Sequence, residues 1–211
     1  MRVIAIDGPA GSGKSTVARG VAERLGLPYL DTGAMYRAVA FEAIRRGIDP
    51  EDAPTVGALA RQLDIEVDER VLVDGTDATV EIRGPEVTRA VSAVAANPEV
   101  RRELVLRQRE WVEKRGGGVV EGRDIGTVVF PEAEVKVYLT ASSEARAGRR
   151  TREMLEHDYD QVAADMARRD QIDSTRSTSP LVVADDAVEV DTTHLTAEQV
   201  VEKVLAMVDR R

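Results

Sequence analysis

A glycine-rich stretch near the start of the chain has the residue types and spacing that bind phosphate. Residues 8–15 follow the pattern G-x-x-x-x-G-K-[ST], in which backbone N–H groups converge on phosphate oxygens in front of a helix N-terminus. We expect Lys14 to be catalytic at the β- and γ-phosphates of a nucleoside triphosphate, and the Ser15 hydroxyl to bind Mg²⁺. The residues expected to bind the donor in this phosphate loop are Gly8, Pro9, Ala10, Gly11, Ser12, Gly13, Lys14, Ser15 and Thr16.

Polar residues gather at the end of a second short apolar segment. Asp31 and Thr32 follow the stretch 29–30, and Arg37 lies one turn into the next predicted helix. Because ligands of an open parallel sheet bind beyond the carboxyl ends of its strands, we expect these side chains to face the same cleft as the phosphate loop, where Arg37 can receive an anionic acceptor. The alternative is a capped helix that carries a solvated arginine.

A third apolar segment, 119–120, leads into the residues Glu-Gly-Arg-Asp. Glu121 lies where proteins with this loop commonly keep an acidic residue near Mg²⁺. Arg123 is a candidate for binding phosphate, and Asp124 for accepting a hydrogen bond from a base edge. The alternative is a buried Arg–Asp pair that only orders the turn.

The elements that must position these residues alternate along the chain. Short apolar strands are predicted at 2–7, 29–31, 119–121, 135–140 and 187–191, and helices at 14–25, 34–46, 98–115 and 196–208. This alternation predicts an α/β fold of the P-loop NTPase type, a parallel sheet with helices on both faces. Gly116-Gly117-Gly118 is predicted to be the turn into the third strand.

One segment departs from the parallel pattern. Residues 65–82 alternate apolar and polar positions around an Asp74-Gly75 turn signal. We expect a small antiparallel sheet, inserted into the parallel core, with one apolar face. The residues predicted on that face are Ile65, Val67, Val71, Val73, Val80 and Ile82.

Composition restricts the class of ligand. The net charge is −9, which disfavours a nucleic acid polymer as partner. Four of the 29 basic residues are lysines and the rest are arginines, the side chain that binds phosphate bidentately. The 211 residues contain no cysteine and no long apolar run, so we expect a cytoplasmic protein without a membrane segment.

Four spaced motifs carry a resemblance to a known family. The stretches LDTGAMYR, VSAVAANPEVR, EGRDIGTVVFP and RRDQIDSTRSTSPL occur in order along the chain, which resembles the bacterial cytidylate kinases among the nucleoside monophosphate kinases. The resemblance implies phosphorylation of CMP and dCMP by ATP with Mg²⁺. It also implies one P-loop kinase unit over 1–211, with a monophosphate-binding insert at about 33–97, and we expect a monomer. Glu121 replaces the aspartate that is commonest in the family.

The same resemblance implies roles for individual residues. The residues implied around the cytosine are Thr32, Ser92, Arg101 and Asp124. Arg37 and Arg123 would hold the acceptor phosphate, with Asp31 beside them. The residues implied at the ribose and phosphate are Arg169, Asp173 and Arg176. An aspartate suits cytosine because the base offers an exocyclic amino group as a donor.

Arginines in the stretch 143–155 resemble the lid helix of these kinases. Arg146 and Arg150 are four residues apart and share one helical face. We expect a short lid at about 147–160, in which Arg146 binds the donor and Arg150 is catalytic. The alternative is a solvated arginine-rich helix face.

Other functions remain open at this point. The nearest is a P-loop kinase for another nucleoside monophosphate or for a small metabolite such as shikimate. A non-catalytic ATP-sensing module is the alternative from a different class. A GTPase is disfavoured because the chain has no Asn-Lys-x-Asp motif, its one asparagine being Asn97.

Overall fold

The computed structural model describes residues 1–153 and 158–210, which form an α/β protein. In chain order the strands and helices are β1 (Arg2–Asp7), α1 (Lys14–Leu25), β2 (Tyr29–Asp31), α2 (Thr32–Arg45), α3 (Ala53–Gln62), β3 (Ile65–Val67), β4 (Val71–Val73), β5 (Thr76–Asp77), α4 (Pro85–Ala96), α5 (Pro98–Arg115), β6 (Gly117–Gly122), β7 (Val135–Thr140), α6 (Ser143–Glu153), α7 (Tyr159–Thr175), β8 (Val188–Asp191) and α8 (Ala197–Val208). A 3₁₀ turn (Glu81–Arg83) and a π-helical turn (Ile125–Val129) complete them.

The chain divides into two compact units. The first comprises Met1–Tyr29 and Arg115–Arg211, and the second comprises Leu30–Lys114. The second unit includes the predicted insert at 33–97, whose role in binding a monophosphate stays a prediction. None of the helices in the described residues combines the length and apolar character that a membrane span requires.

Within the first unit, the strands of the predicted parallel sheet follow the order β6-β1-β7-β8. The pairs β1–β6, β1–β7 and β7–β8 are all parallel, which confirms the expected fold class. In this register Asp7 lies between Gly122 of β6 and Tyr138 of β7. The carboxyl ends of β1, β6 and β7 therefore meet at one edge of the sheet.

Helices α1 and α8 cover one face of this sheet. Apolar residues of both helices pack with the strands in one core, including Val17 and Val21 of α1 and Val204 of α8. Helix α1 ends at Gly26 in the left-handed conformation (φ 62°). Helix α8 begins with a capping box, in which the Thr196 hydroxyl accepts from the Gln199 backbone N–H.

The second unit contains the predicted antiparallel sheet in a shorter form. Strands β3, β4 and β5 pair antiparallel, and the turn between β4 and β5 has positive φ at both Asp74 and Gly75, as a type I′ hairpin requires. The prediction that the sheet continues to residue 82 is wrong. Val80 is 77% exposed, whereas Ile82 is buried in the 3₁₀ turn.

The third core strand begins earlier than expected. Gly117 and Gly118 pair with Arg2 and Val3 of β1, so only Gly116 of the predicted turn lies outside the strand. Backbone pairing with a neighbouring strand overrides the weak strand preference of glycine here.

Candidate active site

The phosphate loop has positive φ at Gly8, Gly11 and Gly13, and at the first two a side chain would also lack space. Gly8 has φ 148°, and a Cβ there would lie 2.2 Å from the Leu139 carbonyl oxygen. Gly11 has φ 70°, and a Cβ there would lie 2.8 Å from the Arg146 carbonyl oxygen. The loop therefore lies close to β7 and α6.

Lys14 follows the loop at the first residue of α1. Its Nζ donates to the Pro9 carbonyl oxygen at 2.7 Å. The pKa of Lys14 is lowered to about 7, first by burial and then by the positive charge of Arg123, while the carboxylates of Glu121 and Asp7 partly offset this lowering. A phosphate group bound beside Lys14 would supply the negative charge that restores its ammonium form.

The turn after β6 brings together four of the predicted acceptor residues. Arg123 donates from Nε to Asp173 Oδ2 at 2.9 Å and from Nη1 to the Gly8 carbonyl oxygen. Arg176 lies between two carboxylates, 3.5 Å from Asp124 Oδ1 and 3.8 Å from Asp173 Oδ1. Asp124, Asp173 and Arg176 are buried. The strand end and the C-terminal part of α7 thus form one network of charged groups.

Arg169 adds a further cation near this network. Its pKa is lowered to about 10, mainly by burial and in addition by the positive charges of Arg123 and Arg150. Its Nε is buried and has no hydrogen-bond partner among the described residues. A guanidinium in this state suits an anionic ligand, because buried donors in folded proteins are normally paired.

Arg146 connects α6 to the phosphate loop. Its Nη1 donates to the Ala10 carbonyl oxygen at 3.1 Å and also to Asp170 of α7. Asp170 in turn accepts from the Ala10 backbone N–H at 3.2 Å. Arg150 lies half-buried on the same helix. Residues 154–157 of the predicted lid lie outside the described residues, and the lid itself stays a prediction.

Within the second unit, α2 and its N-cap residue include three of the predicted acceptor residues. Asp31 caps α2 by accepting from the Ala34 N–H and pairs with Arg83 at 3.0 Å. Thr32 is buried in the first turn. Arg37 donates to the Ile82 carbonyl oxygen and to Thr88 Oγ1, each at 3.0 Å.

The other two predicted residues of this unit are buried on α4 and α5. Ser92 lies on α4, and Arg101 lies on α5 with its guanidinium carbon 5.5 Å from the centre of the Tyr36 ring. Arg101 also donates to the Ala95 carbonyl oxygen at 3.3 Å. Tyr36 is on α2, so Arg101 lies beside the helix that carries Thr32 and Arg37.

Ser15 is exposed in the first turn of α1, a placement that fits Mg²⁺ delivered with nucleotide phosphates. Magnesium in such sites needs only one or two protein oxygens, because phosphates and waters complete its octahedron. The described residues contain no cluster of three or more His, Asp or Glu side chains able to hold a metal ion. Glu121, the other candidate near the metal, is buried and accepts from the Tyr29 hydroxyl.

Two acidic residues of the site were missed at the level of sequence. Asp170 binds the phosphate loop and Arg146, as described above. Asp7 accepts from the backbone N–H groups of Ile125 at 2.9 Å and Gly126 at 2.8 Å. The available signal for Asp7 was its position at the polar end of the first apolar strand, directly before the phosphate loop.

The charge state of Asp7 predicts a pH-dependent stability difference. Burial raises its pKa from 3.8 to about 6, so the stabilisation from its protonated form is present below pH 4 and is lost as the pH rises through 6. We expect the stability of Asp7→Asn relative to the wild type to increase by about 2 kcal/mol between pH 4.5 and pH 8. Urea unfolding of both proteins measures this, and a difference independent of pH would contradict it.

Comparison with protein families identifies close relatives. The family model described as cytidylate kinase matches residues 4–210. Curated cytidylate kinases from Mycolicibacterium paratuberculosis and Geobacillus kaustophilus are each 51% identical to the chain, over 99% of its length and 96% of theirs. These matches extend across both units.

Comparison with solved structures finds the same fold at much lower identity. TT1252 from Thermus thermophilus is 20% identical, with a TM-score of 0.52 over 99% of this chain and 96% of that one. Shikimate kinase from Acinetobacter baumannii, in complex with shikimate, is 15% identical, with a TM-score of 0.51 over 100% and 94% of the two chains. At this identity the likeness concerns the fold alone.

Proposed function

The chain belongs to the cytidylate kinase family, and from that premise we propose that it transfers the γ-phosphoryl group of ATP to CMP and dCMP at the site around its phosphate loop. One observation in particular supports this site: the positive charge of Arg123 lowers the pKa of both Lys14 and Arg169, and Arg169 Nε is buried without a hydrogen-bond partner among the described residues. A cluster of this kind suits the phosphates of a donor and an acceptor.

The acceptor roles follow from the chemistry of the side chains. Arg123 is proposed to bind the acceptor phosphate, and Asp124 to accept from the exocyclic amino group of cytosine, which uracil lacks. Asp173, Arg169 and Arg176 are proposed to bind the ribose and phosphate. The residues of the second unit with proposed acceptor roles are Asp31, Thr32, Arg37, Ser92 and Arg101.

The proposed chemistry needs positioning and charge stabilisation rather than a general base. A phosphate monoester has its second pKa near 6, so the acceptor is mostly a dianion at pH 7. Lys14 and the loop amides stabilise charge on the transferred group, while Arg146 and Arg150 bind the donor side. Mg²⁺, held through Ser15, would neutralise donor phosphate charge when bound. We also propose that the protein acts as a cytoplasmic monomer.

The function is tested by supplying acceptors separately. ADP formation from ATP and Mg²⁺ is measured with CMP, dCMP, UMP, AMP, GMP and shikimate. We expect rapid turnover with CMP and dCMP and weaker turnover with UMP. Faster turnover with AMP or shikimate would overturn the proposed acceptor roles, and ATP binding without stimulation by any acceptor would indicate a sensing module.

A further inference from the structure

Asp7 makes an unusual contact for a residue at the end of a buried strand. Its two carboxylate oxygens accept from two successive backbone N–H groups, Ile125 at 2.9 Å and Gly126 at 2.8 Å. The side chain is buried, and the partners lie 118 and 119 residues further along the chain. Both oxygens are therefore used to hold one turn of another segment.

The two amides begin the π-helical turn Ile125–Val129. The first N–H groups of a helix have no partner within the helix and need an acceptor from outside it. Asp124 is the residue in the N-cap position, yet its side chain makes no capping hydrogen bond. Asp7 takes over that function from β1, while Asp124 Oδ1 lies 3.5 Å from Arg176 Nη2.

The residue after Asp7 holds the same turn at a second place. The Gly8 carbonyl oxygen accepts from Arg123, and Asp7 itself is in register with Gly122. The end of β1 therefore contacts the chain immediately before and after Asp124. The space around the turn is also tight, since a Cβ on Gly126 would lie 3.1 Å from Lys136 Cδ and 3.5 Å from Asp7 Oδ2.

This arrangement is costly for stability, which suggests that the charge serves another purpose. Burial raises the pKa of Asp7, and the nearby carboxylate of Asp124 also raises it. The two backbone hydrogen bonds lower the pKa and offset part of this rise. Sites that bind or catalyse commonly keep such destabilising groups.

We propose that Asp7 is a positioning residue for the acceptor: its carboxylate fixes the turn that carries Arg123 and Asp124, and thereby sets the preference for cytosine over uracil. The proposal rests on the proposed function, in which Asp124 recognises the base and Arg123 the phosphate. Asp7 itself needs no contact with either substrate.

The test is the kinetics of Asp7→Asn with CMP, UMP and ATP. Asparagine keeps the shape but presents an NH₂ group to one of the two N–H donors, so the turn loses an acceptor. We expect kcat/KM for CMP to fall about 10-fold, the cost of one unsatisfied buried donor. The preference for CMP over UMP should shrink, while the KM for ATP should change by less than about 3-fold.

Two further variants separate positioning from general damage to the fold. Asp191 is the matched control, because it ends β8 of the same sheet and accepts from the Thr193 backbone N–H at 2.8 Å. Asp191→Asn should leave the CMP-to-UMP preference unchanged. Gly126→Ala adds a Cβ to the same turn, 3.1 Å from Lys136 Cδ, so it should shift the turn and reduce that preference even if Asp7→Asn does not fold.

The outcomes distinguish this inference from the function on which it rests. Wild-type protein that does not phosphorylate CMP overturns both. If the wild type phosphorylates CMP but both Asp7→Asn and Gly126→Ala retain the wild-type CMP-to-UMP preference, only the inference is overturned. Equal losses for CMP, UMP and ATP would also overturn it, because they would indicate a merely structural role.

Discussion

Replacement of Lys14 by methionine is expected to lower kcat for CMP about 10³-fold, the upper end of the loss seen when one donor to a developing anion is removed. Lys14 is the cation of the phosphate loop, and its pKa is held at about 7 by burial and by Arg123. A neutral side chain of similar length leaves the transferred phosphoryl group without that charge. ADP formation at saturating ATP, Mg²⁺ and CMP measures the loss.

The same substitution should not unfold the protein, because it removes a charge that burial disfavours. Lys203→Met is a suitable control, since Lys203 is an exposed lysine on α8. Thermal unfolding should be similar for the wild type and both variants. A Lys14→Met protein with kcat within 10-fold of the wild type would remove Lys14 from the proposed catalytic role.

Replacement of Arg150 by alanine has the second largest expected effect, a fall in kcat of about 10²-fold. Arg150 lies half-buried on α6, close enough to Arg169 for its charge to lower the pKa of that residue. Two arginines that repel each other in the free protein are stabilised when phosphate charge lies between them. Single-turnover measurements would place the loss in the chemical step rather than in product release.

Arg152→Ala provides the control within the same helix. Arg152 is exposed and donates to the Gly148 carbonyl oxygen one turn earlier at 3.0 Å. Its replacement should leave kcat within about 2-fold of the wild type, as expected for a solvated side chain. Equal effects of the two substitutions would favour the solvated helix face over a catalytic role for Arg150.

Features that depend on neighbouring residues could be predicted from sequence. The phosphate loop and helix α1 were predicted with their bounds, because glycine spacing and apolar periodicity act within a few residues. The Asp74-Gly75 hairpin was likewise predicted correctly, since positive φ is a local property. The alternation of predicted strands and helices was sufficient to predict the α/β fold class.

Features that depend on distant partners needed the tertiary structure. Residues 78–82 continue the alternating sequence pattern of a strand, yet they do not form one. Backbone hydrogen bonds close a 3₁₀ turn instead, with Ile82 buried in the turn and Val80 exposed before it. The start of β6 at Gly117 depends on its pairing with Arg2.

The contrast between local and long-range features is clearest at the candidate active site. The sequence alone determined that the chain binds nucleoside triphosphate phosphates, and its spaced motifs indicated the family, because those signals are residue types at short spacing. Only the tertiary structure identified Asp7 as a partner of the turn Ile125–Val129 and Asp170 as a partner of the phosphate loop. Their hydrogen bonds join residues more than 100 positions apart, and sheet register and helix packing, rather than local preference, bring such residues within bonding distance.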